Sequence, residues 1–312
     1  MSENGIRCCV CGNSGKTNFS LFYEKPGYHV MQCAVCSFVF VPTYYRESIS
    51  YTDYKDAKVA DQVKKGNNWI KIQRHLLRFD LIKKYKKQGK VFDLGAGWGH
   101  FLLAGKQLGY DVYGIELSEQ PALYAKNELG LPIDRLDFFA MNDAKKFDII
   151  TLWDVLEHID EADKVIEKCN TLLAEDGLIV IQVPQIDSFM SKRFKETWKM
   201  VSLDHVNYFS SKTLPRLLKA KGFEVQEMRS SIELKLFLMY TVLPFFRKVF
   251  PKKKKANSGI QPTSAERQEF FNKFTNVPHW VLWIFVRVHN AVYKTLSFFR
   301  IGEEMIVVAK KK

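Results

Sequence analysis

From Lys90 to about Ser230 the chain alternates short, almost continuously apolar runs with helical stretches, and this rhythm restricts the fold more than any other feature. The apolar runs are VFDL, YDVYGIE, FDIITLW, GLIVIQV and FEVQEM. Between and beside them, helices are predicted over 99–108, 119–129, 161–174 and 211–221. Strands apolar on both faces, interleaved with helices, predict an α/β fold with a largely parallel sheet covered on both sides. Upstream, Trp69, Ile72, Leu76, Phe79 and Ile82 recur at three and four residues and predict a helix from about Asn68.

The stretch VFDLGAGWGHF, residues 91–101, reads as the first strand of that sheet followed by a glycine-rich turn. Gly95, Gly97 and Gly99 let the backbone turn tightly and approach a ligand at a helix start. The dinucleotide fingerprint G-x-G-x-x-G would need glycine at position 100, where His100 stands. Glu116 closes the second strand, where a carboxylate meets ribose hydroxyls in a nucleotide-binding half. The combination predicts a ligand carrying ribose hydroxyls and departs from the dinucleotide fingerprint.

Five blocks in order, VFDLGAGWG (91–99), GIE (114–116), FDIITLWDVLEHI (147–159), LLAEDGLIVIQVP (172–184) and DHVNYFSSKTL (204–214), resemble the class I S-adenosylmethionine-dependent methyltransferases. The branch they resemble most contains quinone-biosynthesis O-methyltransferases and bacterial sugar or small-molecule methyltransferases. The resemblance implies a Rossmann-like, mostly parallel seven-stranded sheet and S-adenosylmethionine as cofactor. It implies that Asp93 with Gly95, Ala96, Gly97 and Gly99 holds the methionine moiety and that Glu116 takes the ribose hydroxyls. Asp137 is the match for the adenine-side contact, with the backbone of Leu136 or Phe138 as alternatives. Trp153 and Asp154 are expected to line the cleft.

For the chemistry, an oxygen acceptor gains from a general base near neutral pH, and His158 and His205 are the candidates. Glu157 and Asp204 are candidates to orient these imidazoles, and with Trp198 and Tyr208 they are expected on the substrate side. Each histidine has a plain alternative: for His158, a hydrogen bond to backbone that orders its loop; for His205, bracing the substrate loop against Trp198 or Tyr208. No N-P-P-Y or D-P-P-Y tetrad follows the fourth strand; WDVLEH stands there and argues against base amino groups as acceptors.

Two C-x-x-C pairs, Cys8/Cys11 and Cys33/Cys36, predict a small zinc-ribbon-like module over residues 1–42, with FSLFYE and YHVMQC as its hairpin. Four thiolates in tetrahedral array suit Zn²⁺, and a piece without a core of its own would be held together by it. Cys9 is not expected to be a ligand, and Cys169 reads as a helix-face cysteine. A tyrosine-rich linker and helix fill 43–88, and the methyltransferase domain takes 89–230 with a closing strand in 303–312.

Residues 231–302 form an expected helical insertion before that strand. Its two aromatic-rich apolar runs are each flanked or interrupted by cations, including Arg247, Lys248, Lys252–Lys255 and Arg287. Neither run reaches the length that crosses a bilayer, whereas both suit a membrane surface or a lid over the acceptor cleft. The formal net charge of +13 points to an anionic surface among the partners. MSENGIRCC carries no leader pattern, so the expected location is the cytoplasm, at its membrane face. The expected reaction is O-methylation of a lipid-linked glycan, quinone-like or other amphiphilic acceptor. The alternatives are a zinc-ribbon RNA methyltransferase and a non-catalytic S-adenosylmethionine-binding membrane adaptor.

Overall fold

The structure is a computed structural model that describes residues 6–45, 68–202, 204–231 and 302–312, with isolated helical positions between 280 and 295. The strands are β1 (Phe19–Lys25), β2 (Tyr28–Cys33), β3 (Val39–Phe40), β4 (Lys90–Leu94), β5 (Asp111–Ile115), β6 (Ile133–Asp134), β7 (Phe147–Trp153), β8 (Leu173–Pro184), β9 (Asn207–Tyr208), β10 (Phe223–Ser231) and β11 (Glu304–Lys311). The helices are α1 (Asn68–Ile82), α2 (His100–Gln107), α3 (Glu119–Asn127), α4 (Ala162–Leu172), α5 (Phe189–Phe194) and α6 (Thr213–Ala220). The four helices expected from periodicity are present, each somewhat shorter than expected, as fraying at helix ends allows.

Seven strands make one sheet in the order β10-β11-β8-β7-β4-β5-β6. Neighbours from β8 through β6 pair in parallel, and β11 runs antiparallel to both β8 and β10. The expected mostly parallel α/β sheet is therefore present. Its central strands are apolar on both faces because helices cover both: Val91, Ile149 and Val180 face one core cluster, and Phe92, Ile150 and Ile179 the other. The third strand, hard to read in IDRLDFF, is only two residues long and pairs Ile133 with Gly114.

A second, antiparallel sheet has the order β1-β2-β3-β9. The expected hairpin is there, with Phe19 opposite Cys33 and Lys25 opposite Tyr28. This piece, expected to have no core of its own, packs into the main domain's core. Phe19, Cys33, Phe38 and Phe40 share one buried cluster with Phe92, Ile150 and Phe209 of the main domain. The fourth strand, β9, also comes from the main domain. No residue pattern signals this, because β9 is a two-residue partner supplied from far along the chain.

Of the expected insertion 231–302, most lies outside the described residues. Trp280, Trp283, Ile284, Arg287, Val288, Ala291 and Thr295 are helical and exposed, and the Arg287 guanidinium lies 4.0 Å from the Trp283 ring centroid. Among the described residues, no helix is long and apolar enough to cross a membrane.

Candidate active site

The glycine turn after β4 folds against the end of β5. The amides of Gly95 and Ala96 donate to the Ile115 carbonyl at 3.0 and 2.9 Å. Gly99 takes a left-handed conformation (φ 78°) and starts α2, and a Cβ there would meet Ala125 Cβ and Leu131 Cδ1 at 2.8 Å. Gly97 is also left-handed (φ 51°), yet a Cβ on it would find nothing within 4 Å. One glycine is demanded by helix packing; the other borders open space.

The acids stand on either side of this turn. Glu116 accepts from the Gly97 amide at 2.8 Å and from the Ser118 amide at 2.7 Å. Asp93 is buried at the end of β4 and accepts from Thr151 Oγ1 at 2.6 Å. Burial raises its carboxyl to about 7, against the hydrogen bond from Thr151 and the charge of Arg78, which lower it. A buried acid poised in this way gains a great deal from an arriving cation. Asp137 follows β6 and accepts from the Phe139 amide at 2.7 Å, capping a short turn over Phe138–Ala140.

Trp153 ends β7, is buried, and leaves its Nε1 without a hydrogen-bond partner. Asp154 follows in a left-handed conformation (φ 59°), and both its carboxylate oxygens accept from Gln182 Nε2, at 3.0 and 3.1 Å. Sequence reasoning missed Arg78. From α1 its guanidinium lies 4.0 Å from the Trp153 ring centroid, 3.8 Å from Asp154 and 3.1 Å from Gln182 Oε1, with only 7% of the residue exposed. Nothing in NWIKIQRHLLRF separates Arg78 from Arg74 except its place beside Phe79 on the inward face, a weak signal.

These features fit S-adenosylmethionine in their chemistry: a buried acid suits an ammonium, a carboxylate held by two amides suits hydroxyl donors, and Gly97 leaves open space where a side chain would stand.

Beyond β7 a single helical turn, Leu156–His158, brings Glu157 and His158 against His205. The imidazole centroids of His158 and His205 are 4.7 Å apart at 73°. His158 Nδ1 donates to the Asp204 carbonyl and His205 Nδ1 to the Met200 carbonyl, each at 2.8 Å. A carbonyl only accepts, so each Nδ1 carries the hydrogen and Nε2 is the basic nitrogen. Burial first, and His158 second, push His205 down to about 4. Glu157 is buried with Oε2 unpartnered, and burial followed by the charge of Asp154 raises its carboxyl well above the usual range. Ligand-type atoms of Glu157, His158 and His205 all lie within 4.8 Å of one another, a set suited to handling a proton or a divalent cation.

Trp198 is buried and Nε1-unpartnered, beside a hollow of about 500 Å³ that Glu24, Lys25 and Pro26 also line. Tyr208 donates its hydroxyl to the Ser202 carbonyl at 3.1 Å. Asp204 and Tyr208 stand on either side of His205 in the segment after α5, while Glu157 approaches from the turn after β7.

The four predicted cysteines also converge: Cys8, Cys11, Cys33 and Cys36 present sulfur atoms within 4.8 Å of one another. Cys8 Sγ is 3.5 Å from Cys36 Sγ, and Cys11 Sγ 3.7 Å from Cys33 Sγ. All are free thiols at distances far beyond a disulfide bond, and the donor set is that of a soft-metal site. Cys9 lies outside the cluster and is buried, and Cys169 is buried on α4.

Sheet order, glycine turn and strand-end acids together define a class I methyltransferase fold. A family model described as "Methyltransferase domain" matches residues 70–228, so the chain belongs to that family, a class of S-adenosylmethionine-dependent enzymes. The chain is 35% identical over 118 residues to the ubiquinone biosynthesis O-methyltransferase of Actinobacillus pleuropneumoniae, covering 33% of this chain and 50% of that one. It is 36% identical over 121 residues to the Haemophilus ducreyi protein of the same name, covering 34% and 50%. The chain therefore spans about half the length of these curated relatives. Among solved structures, an S-adenosylmethionine-dependent methyltransferase from Archaeoglobus fulgidus is similar at 21% identity and a TM-score of 0.47, over 77% of this chain and 93% of that one. Magnesium protoporphyrin IX methyltransferase from Synechocystis is similar at 12% identity and a TM-score of 0.45, over 78% and 84%.

Proposed function

We propose that this protein transfers a methyl group from S-adenosylmethionine to an oxygen of an amphiphilic small molecule, such as a quinone-like compound or lipid-linked glycan. The observation that carries the reading is the pairing of a cofactor floor (Asp93, Gly97, Glu116) with two imidazoles in contact, His158 and His205, beyond the same strand ends. The names of the curated relatives support an oxygen acceptor. When bound, S-adenosylmethionine supplies an electrophilic methyl group on a sulfonium. Asp93 balances the ammonium, Glu116 and the glycine turn fix the nucleoside, and Trp153 and Asp154 wall the cleft. The basic Nε2 of His158, the less buried of the pair, takes the acceptor's hydroxyl proton as the new bond forms.

The same reading assigns Zn²⁺ to Cys8, Cys11, Cys33 and Cys36 as a structural ion. It assigns a membrane-surface role to 231–302, supported by the exposed Trp280, Trp283, Ile284 and Val288 around Arg287 and by the net charge of +13.

The test is transfer of a radiolabelled methyl group from S-adenosylmethionine into cell extract, separated into lipid, glycan, small-metabolite, protein and RNA fractions. Label in lipid, glycan or small metabolite, lost on Gly97→Arg, is the expected outcome. Label in ribonuclease-sensitive material overturns the acceptor class and favours RNA. Binding of S-adenosylmethionine without turnover on any fraction overturns the catalytic role.

A further inference from the structure

The cysteine cluster and the two histidines are joined by a short run of hydrogen-bonded backbone. Cys33 ends β2; its amide donates to the Phe38 carbonyl at 2.8 Å, and its carbonyl accepts from the Ser37 amide at 2.9 Å. This knuckle, with Ser37 left-handed at φ 60°, delivers the chain into β3 two residues later. β3 pairs on one side with β2, Val39 opposite Gln32, and on the other with β9, Val39 opposite Tyr208 and Phe40 opposite Asn207. The Val41 amide then donates to the Val206 carbonyl at 2.9 Å, and the Val206 amide to the Glu157 carbonyl at 2.8 Å. Asn207 Nδ2 donates to the Leu156 and Ile159 carbonyls at 3.3 and 2.6 Å, gripping both ends of the turn that carries His158.

β9 has two residues, so it holds little register of its own. Among the described residues, the other bridge beside it pairs Gln185 with Phe209. The residue just before Val206 is His205, and Asp204, whose carbonyl holds His158 Nδ1, precedes that. The ring of Phe38 meets that of Phe209 at 5.2 Å on the far side of β9. By contrast, the glycine turn and Glu116 are held by β4, β5 and their helices, which, among the described residues, make no strand pairing with the antiparallel sheet.

We infer that the metal-loaded cysteine cluster is the positioning device for the His158–His205 pair, acting through β3 on residues 204–209, and that it does not position the cofactor floor. Cys36 and Val39 are positioning residues in this scheme. The inference rests on the reading of the cluster as a zinc site. Holding the second knuckle fixes where β3 begins, and β3 is the edge on which β9 is hydrogen-bonded. Releasing the knuckle frees β3, and the acceptor-side histidines lose their common orientation while S-adenosylmethionine still binds.

The experiment uses the full chain, with zinc content measured before each run. Hydrogen exchange is followed in peptides covering 155–159 and 204–209, and in peptides covering 91–101 and 111–116. Zinc removal by chelation and Cys36→Ser are each expected to raise exchange at 204–209 by about tenfold or more while 91–101 and 111–116 stay unchanged. The affinity for S-adenosylmethionine is expected to stay within about twofold. Cys36→His, which returns a zinc ligand, restores protection. Val39→Pro breaks the β3–β9 pairing with the cysteines intact, so it keeps its zinc and still loses protection at 204–209.

Unchanged exchange at 204–209 after zinc loss overturns the coupling while leaving the zinc site standing. Exchange that rises equally in 91–101 and 111–116 overturns it as well, since the cluster would then support the whole fold. A protein that takes up no zinc overturns both the inference and the reading of the cluster.

Discussion

The Gly97 amide donates to Glu116 at 2.8 Å, joining the glycine turn after β4 directly to the end of β5. The Ser118 amide donates to the other carboxylate oxygen at 2.7 Å. The carboxylate is thus oriented in advance by two backbone donors, and each oxygen keeps a second lone pair for a hydroxyl.

Glu116→Ala removes the acceptor for both amides and the partner proposed for the ribose. The expected loss of affinity for S-adenosylmethionine is about 10- to 100-fold, the equivalent of about 1.5–3 kcal/mol for a charged hydrogen bond. Calorimetric titration measures it. Wild-type affinity in a folded Glu116→Ala protein would remove Glu116 from the cofactor site.

Asp93, raised to about 7 by burial, contributes stability that is present below the ordinary carboxylate range and lost as pH rises through about 7. A cation beside it reverses the preference, so binding S-adenosylmethionine should expel a proton. Affinity is expected to rise between about pH 6 and pH 7.5, with proton release visible in buffers of different ionisation enthalpy. Asp93→Asn should abolish both effects. Proton-neutral binding at about pH 6.5 would show that no ammonium lands there.

His205 behaves in the opposite sense. Its imidazole is pushed down to about 4, so its contribution to stability is present above the unfolded value near 6.5 and lost as pH falls toward 4. Urea unfolding at about pH 4.5 and pH 7 should differ by about 2 kcal/mol more in the wild type than in His205→Gln. Equal pH dependence in the two proteins would place the acid sensitivity elsewhere.

The two left-handed glycines should separate packing from ligand approach. Gly99→Ala drives a methyl group into Ala125 and Leu131 and is expected to cost about 2–3 kcal/mol in chemical unfolding. Gly97→Ala meets no neighbour, so only the backbone penalty of about 1–2 kcal/mol applies. Its main effect should instead be weaker cofactor binding. Gly97→Ala binding as tightly as wild type would mean that the open space beside it is not the cofactor's.

The central sheet was legible because β4, β7 and β8 are buried on both faces and so write an unbroken apolar run, which no surface strand does. The glycine turn and Glu116 were legible because their spacing is local. Arg78 was not, since its value lies in reaching Trp153 and Asp154 from α1, a contact no periodicity encodes. The convergence of Cys8, Cys11, Cys33 and Cys36 could be read from two knuckles. Their merger with the main core could not, because it depends on β9, a strand too short to have a pattern. The meeting of His158 with His205 joined two separately named candidates, and it is the backbone carbonyls of Met200 and Asp204 that fix it.

Strand β11 lies between β8 and β10, so an interior position of the sheet is filled from the far end of the chain. A polypeptide emerging from the ribosome has its β4–β8 strands and its glycine turn long before Glu304 appears. Until then β8 shows an unsatisfied edge and β10 has no neighbour, with residues 232–303 still to be made. Such an edge is a template for pairing with other chains. Vectorial synthesis therefore imposes on this protein a late closing step, during which a chaperone would find β8 open.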